Sequence, residues 1–76
     1  MQAWEYCRLY PQRALLRRFT AEGGVDEPLP DVSLAVYQLG QDGWELVGAE
    51  GWSQPGDDGV EVREVLTFKR PAPAPV

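Results

Sequence analysis

Four arginines, Arg8, Arg13, Arg17 and Arg18, fall within the first twenty residues, interleaved with Tyr6, Tyr10 and Phe19. Guanidinium forks match carboxylate and phosphate oxygens, and aromatic faces stack on planar groups or hold a cation. On neighbouring strands these residues could grip a small anion, such as a nucleotide-like metabolite. The same arginines have a plainer use, pairing across strands with Glu5, Glu61 and Glu64.

Other reactive groups are sparse. Nucleophilic catalysis would need Cys7 or a serine beside a base. The chain has no histidine, and Lys69 is its sole lysine. A lone cysteine in a strand reads as a small buried hydrophobe. It can form neither an internal disulfide nor a four-ligand zinc site. The acidic pairs Asp26/Glu27 and Asp57/Asp58 lie beside glycine or proline and read as solvated loops, because a calcium loop needs a longer patterned ligand set. No phosphate-cradling glycine motif is present. The chain therefore reads as non-enzymatic, with no catalytic residue, metal or cofactor.

The net charge is −5 and the pI near 4.5. Residues 1–20 set four arginines against Glu5, residues 21–62 hold ten acids and no base, and residues 63–76 carry Arg63, Lys69 and Arg70 against Glu64. Such a dipole suits contact with an anion or with the acidic side of another copy, although solvated faces of opposite sign are the commoner reason for such a distribution. An acidic chain with few cations is poorly matched to nucleic acid. No apolar run reaches the ~18 residues of a membrane span. The opening residues lack the basic start and apolar core of a signal peptide, and an unpaired thiol fits a reducing compartment. The expectation is a cytoplasmic protein that binds neither nucleic acid nor membrane.

The elements that would position these residues follow from periodicity. Residues 3–10 alternate, with Trp4, Tyr6, Arg8 and Tyr10 on one side and Glu5, Cys7 and Leu9 on the other, as a strand requires. Residues 13–20 place Leu15, Leu16 and Phe19 on one face if helical; the short Pro11-Gln12 spacing favours a hairpin and a second strand. Residues 21–30, with a glycine pair, acids and two prolines, read as a loop. Asp31 is placed to cap a helix carrying Val32, Ala35, Val36 and Leu39 on one face, with Gly40 as its left-handed end. Residues 44–50 read as a strand with Trp44 and Leu46 on one face and Val47 and Ala49 on the other, which suggests a central strand or one face covered by another subunit. Residues 51–59 read as a loop in which Trp52 either folds back on the core or anchors an interface. The last strand, 60–69, puts Val60, Val62, Leu66 and Phe68 on one side; Glu64 interrupts that apolar face, which calls for a bulge or partial exposure there. The domain thus spans 1–70, and the proline-alanine segment 71–76 reads as a flexible tail.

Three blocks at this spacing, Trp4-Glu5-Tyr6, the central Leu39-Gly40-x-x-Gly43-Trp44-Glu45-Leu46-Val47, and Phe68-Lys69-Arg70-Pro71, resemble the bacterial and phage-encoded domain of unknown function 4177. The resemblance spans almost the whole chain, and the central block is its specific part. It implies a small antiparallel sheet with one helix before the Gly-Trp-Glu-Leu-Val strand. It carries over no catalytic residue and no ligand.

The expected fold is α+β: a sheet of three to four antiparallel strands in the order β-β-α-β-β, with one helix on one face. A chain of this size buries only about 60% of its unfolded surface. One short helix leaves a sheet face uncovered, so the first expectation is an interaction module forming a homo-oligomer, with Trp52 and Phe19 at the interface. The alternative is a binder that sequesters an anionic metabolite at Arg8, Arg13, Arg17, Arg18, Tyr6 and Tyr10, in a pocket that two subunits could share.

Overall fold

A computed structural model of the chain describes residues 2–73. Its elements are β1 (Trp4–Tyr10), a 3-10 turn (Pro11–Arg13), β2 (Leu15–Thr20), β3 (Gly23–Pro28), α1 (Val32–Gln41), β4 (Glu45–Gly56) and β5 (Gly59–Pro71). The strands form one antiparallel sheet in the order β3-β2-β1-β5-β4. The expected fold is corrected: there are five strands, not three to four, and the order is β-β-β-α-β-β.

The added strand is β3, inside the segment whose glycines and prolines signal a loop. It pairs with β2 from Thr20↔Gly23 to Leu15↔Pro28. Every residue of it is exposed, so no apolar alternation marks it in the sequence. As an edge strand it tolerates Pro28, which has no N–H to give a ladder. Cross-strand charge helps hold it: Arg17 lies opposite Asp26 and donates to both carboxylate oxygens, at 2.7 and 3.1 Å.

Between β1 and β2, Pro11 starts the 3-10 turn with a preset φ. Ala14 closes it at φ 48°, ψ 51°, a left-handed conformation unusual for a residue with a Cβ. Its N–H donates to the Pro11 carbonyl, and its own carbonyl accepts from Leu29 N–H at 2.7 Å. That bond ties the turn to the entrance of α1.

Asp31 caps α1, its Oδ1 accepting from Leu34 N–H at 3.0 Å. The far end departs from expectation. Gly40 belongs to the helix, and the left-handed residue is Gly43, at φ 86°. Gly43 N–H donates to the Gly40 carbonyl and Trp44 N–H to the Leu39 carbonyl. Paired bonds of this kind satisfy the last helical carbonyls and bring the residue after the glycine onto the helix's final apolar position. Here that contact is Trp44 with Leu39, both buried in the core.

The core occupies one face of the sheet. Cys7 and Leu9 from β1 lie opposite Phe68 and Leu66 of β5, and Leu9 also faces Leu16 of β2. Leu39 and Trp44 cover them, with Leu29 and Val32 packed alongside. Two further corrections concern β4. It is an edge strand rather than a central one, and the sheet's bulge falls at Val47, between Leu46 and Gly48, while Glu64 is accommodated by exposure instead. The extra residue lets Leu46 and Ala49 face the same side, opposite Phe68 and Leu66.

β4 continues through the expected loop to Gly56, so Trp52 is a strand residue. β1 stops covering β5 at Leu66, while the β4–β5 ladder runs on to Gly56↔Gly59. The outer part, Gly51 to Glu64, is a two-stranded arm. Gln12 braces its base, its Oε1 accepting from Glu64 N–H at 2.8 Å. The arm stretches the molecule to 53 × 23 × 20 Å. The radius of gyration is 14.2 Å, against about 11 Å expected for a compact chain of this length. β5 reaches Pro71, which pairs with Trp4, and Ala72 N–H donates to the Ala3 carbonyl. The rest of the expected tail, 74–76, lies outside the described residues. No helix among the described residues is long and apolar enough to cross a membrane.

Candidate binding face

The sheet face opposite the helix carries the arginine and aromatic residues. Alternation along β1 puts Trp4, Tyr6, Arg8 and Tyr10 there. Register then brings Arg17 opposite Arg8, Lys69 opposite Tyr6, and Arg63 opposite Trp52. Phe19, two residues from Arg17 on β2, shares this face. The rings remain substantially open to solvent: Trp4 is 40% exposed, Tyr6 45%, Phe19 42% and Trp52 46%.

Cations and rings are paired across the strands. The Lys69 ammonium lies 4.1 Å from the Trp4 ring centroid, and the Arg8 guanidinium 5.5 Å from that of Phe19. Arg13 and Arg17 both lie over Tyr10, at 5.5 and 5.4 Å. These distances fall within reach of the ring quadrupole.

The expected arginine cluster is only partly assembled. Arg8, Arg13 and Arg17 share the face with Tyr6 and Tyr10, but Arg18 does not. It follows Arg17 in a strand, so it points to the helix side, where it lies 3.6 Å from Glu27. Arg17 is occupied as well. Its hydrogen bonds to Asp26 hold the guanidinium pKa up and the Asp26 carboxyl below its ordinary value. Arg63 binds Glu61 at 2.9 Å and, with Gln54, lowers the Glu61 pKa. Among the described residues the cations without a carboxylate partner are Arg8, Arg13 and Lys69. All three belong to the uncovered face and lie over rings. Lys69 and Trp4 were missed by sequence reasoning, although alternation in β1 and β5 already sorts each to a side. What was lacking was the β1–β5 pairing that joins those sides.

Where the arm leaves the body, a hollow of about 220 Å³ opens, lined by Tyr10, Gln12, Arg13, Trp52, Gln54 and Arg63, with Glu64 at its edge. The Trp52 indole N–H points along the strand to Gln54 Oε1 at 3.4 Å. Trp52 thus neither folds into the core nor stands alone; it forms one wall of this hollow. Such a site offers two aromatic walls and the unpaired Arg13.

The remaining chemical candidates are dispersed. Cys7 is fully buried, and desolvation pushes its thiol up to about 11 against the lowering effect of Arg18 and Arg70. That keeps it protonated and unreactive near neutrality. Asp26 and Glu27 point to opposite faces, each beside its own arginine. Among the described residues no cluster of three or more histidine, cysteine or acidic side chains could hold a metal ion. No family model, curated protein or solved structure matches this chain.

Proposed function

We propose that this chain is a non-enzymatic interaction module that associates with copies of itself. The observation that carries this reading is the sheet face that the helix leaves uncovered. Trp4, Tyr6, Phe19 and Trp52 stand 40–46% exposed on one side of a sheet whose single helix covers the other. Four large rings left half-open on one face of so small a sheet are the kind of apolar surface that a partner covers. The arm adds to the case, since a two-stranded hairpin projecting into water is only marginally stable unless packed. The free Cys7 thiol suits a reducing compartment, and we assign the module to the cytoplasm on that chemistry. Light scattering on the purified protein tests the reading. The expected species is a homo-oligomer at micromolar concentration, and a well-folded monomer there would overturn it.

A second reading is favoured by one feature, the hollow between Tyr10 and Trp52 with Arg13 unpaired at its margin. It suits a planar anion of nucleotide type, with the rings taking the planar part and Arg13 the charge. Thermal shift in the presence of nucleotides is expected to raise the melting temperature of wild type and not of Arg13→Ala. An unchanged melting temperature with every anion tried would remove this reading.

A further inference from the structure

The arm and the uncovered face are complementary to each other, and a single molecule does not bring them together. Alternation divides the arm into two sides. Trp52, Gln54, Glu61 and Arg63 knit the side continuous with the open face. The other side presents Pro55, Val60 and Val62, with Pro55 paired to Val60. Val60 is 74% and Val62 57% exposed. The helix does not extend over them, because its buried residues Ala35 and Leu39 meet the core at the other end of the sheet.

Charge selects the occupant. Residues 50–64 contain five acids, Glu50, Asp57, Asp58, Glu61 and Glu64, against Arg63 alone. Glu50 and Glu61 alternate onto the side continuous with the open face, so the valine side carries Glu64, with Asp57 and Asp58 at the tip. Two arms packed valine side to valine side would set an acidic tip against the partner's tip or its Glu64, and like-charge contact costs affinity. The open face offers such a tip three cations, Arg8, Arg13 and Lys69, that have no carboxylate within ion-pair distance among the described residues. Its rings also offer an apolar floor. Reach is sufficient: six residues per strand make an arm of roughly 20 Å, and three strands at the usual spacing span about 10 Å between their axes.

We propose that the arm of one copy lies across the open face of a second copy, Val60 and Val62 on the rings and Asp57 and Asp58 near Arg8, Arg13 and Lys69. The contact rests on the self-association reading and gives it a specific form. It joins different patches on the two copies, so each molecule offers one arm and one face.

A charge-swap experiment tests it. The double variants Asp57→Arg/Asp58→Arg and Arg8→Glu/Arg13→Glu change only exposed residues, and circular dichroism checks that each remains folded. In sedimentation at low salt each variant alone is expected to associate at least about tenfold more weakly than wild type. An equimolar mixture is expected to recover, because each reversed arm then meets a reversed face. Wild-type oligomers that persist unchanged in both variants would overturn this contact while leaving self-association standing. Stronger association of the reversed arm with itself or with wild type would point to arm-on-arm packing and also overturn it. A monomeric wild type would remove both readings.

Discussion

The Arg70 guanidinium lies over the Trp44 indole, 4.5 Å from the ring centroid. The same side chain donates from Nε to Glu5 at 2.6 Å and from Nη1 to the Asp42 carbonyl at 3.1 Å. One residue of β5 therefore closes the core over Trp44, pairs across the sheet with β1, and places a cation at the C-terminal end of α1, where the helix dipole favours it.

Arg70→Ala is expected to lower stability by about 1.5 kcal/mol, combining a part-buried stack, one ion pair and one charged bond to a helix-end carbonyl. For a domain of this size that corresponds to a fall in Tm of roughly 6–12 °C. Arg70→Lys keeps the charge but not the planar fork, so it should recover less than half. Denaturant titration of the three proteins checks the order.

Two glycines three residues apart should respond with opposite sign. Gly43 holds φ 86°, so Gly43→Ala forces a Cβ into the left-handed region and is expected to cost about 1 kcal/mol or more. Gly40 lies inside the helix, and a Cβ there meets nothing within 4 Å. Gly40→Ala should stabilise by about 0.5–1 kcal/mol through helix propensity. Equal losses at both positions would contradict the observed helix end.

The same pair shows how far the sequence could be read. The Leu-Gly-x-x-Gly-Trp block announces that a helix ends and an aromatic residue enters the core, but either glycine satisfies that pattern. The choice depends on which carbonyls remain to be satisfied, and that needs the helix length. β1, α1 and the sides of β5 were legible because a buried face imposes a period. β3 and the outer half of β4 were not, because exposed edge strands carry no such constraint and their glycines and prolines mimic loops. The site was half legible for the same reason. Alternation sorted Tyr6, Arg8 and Tyr10 together, yet separating Arg17 from Arg18 required the register of β2.

Ala14 offers a test in the stabilising direction. Its φ of 48° costs a residue with a Cβ about 1 kcal/mol. Ala14→Gly relieves that strain and loses part of the gain to the freer unfolded chain. A rise in the urea midpoint with unchanged slope is expected. A fall would mean that the Ala14 methyl packs usefully against the turn.

The Arg17–Asp26 pair predicts an acid limb. Asp26 has a depressed pKa in the folded state, first because Arg17 hydrogen-bonds its carboxylate. A group shifted this way contributes stability above its unfolded value, near 3.9. That contribution disappears as pH falls through the folded-state pKa. The pair is exposed to solvent, so the effect is small and screened by salt. Wild type is expected to exceed Asp26→Asn in stability at neutral pH, with the difference closing below about pH 4. A gap that stays constant across that range would mean the carboxylate charge is not what holds β3.

Cys7 titrates on the opposite limb and reports on the whole core. Burial raises its thiol to about 11, so the unfolded chain, with a thiol near 8.5, ionises first as pH rises. Stability associated with the protonated thiol is therefore complete below the unfolded value and lost between it and about 11. Below that window, a thiol-specific reagent should label native protein only when the core opens, because Cys7 is wholly enclosed among Leu9, Leu16, Leu39 and Phe68. Labelling should then slow by the factor that global stability predicts, and a core variant such as Leu39→Ala should accelerate it by the same factor by which it destabilises the fold. Rapid labelling of the folded protein would mean that β1 is reached by local opening, with Trp44 lifting away while the sheet stays paired.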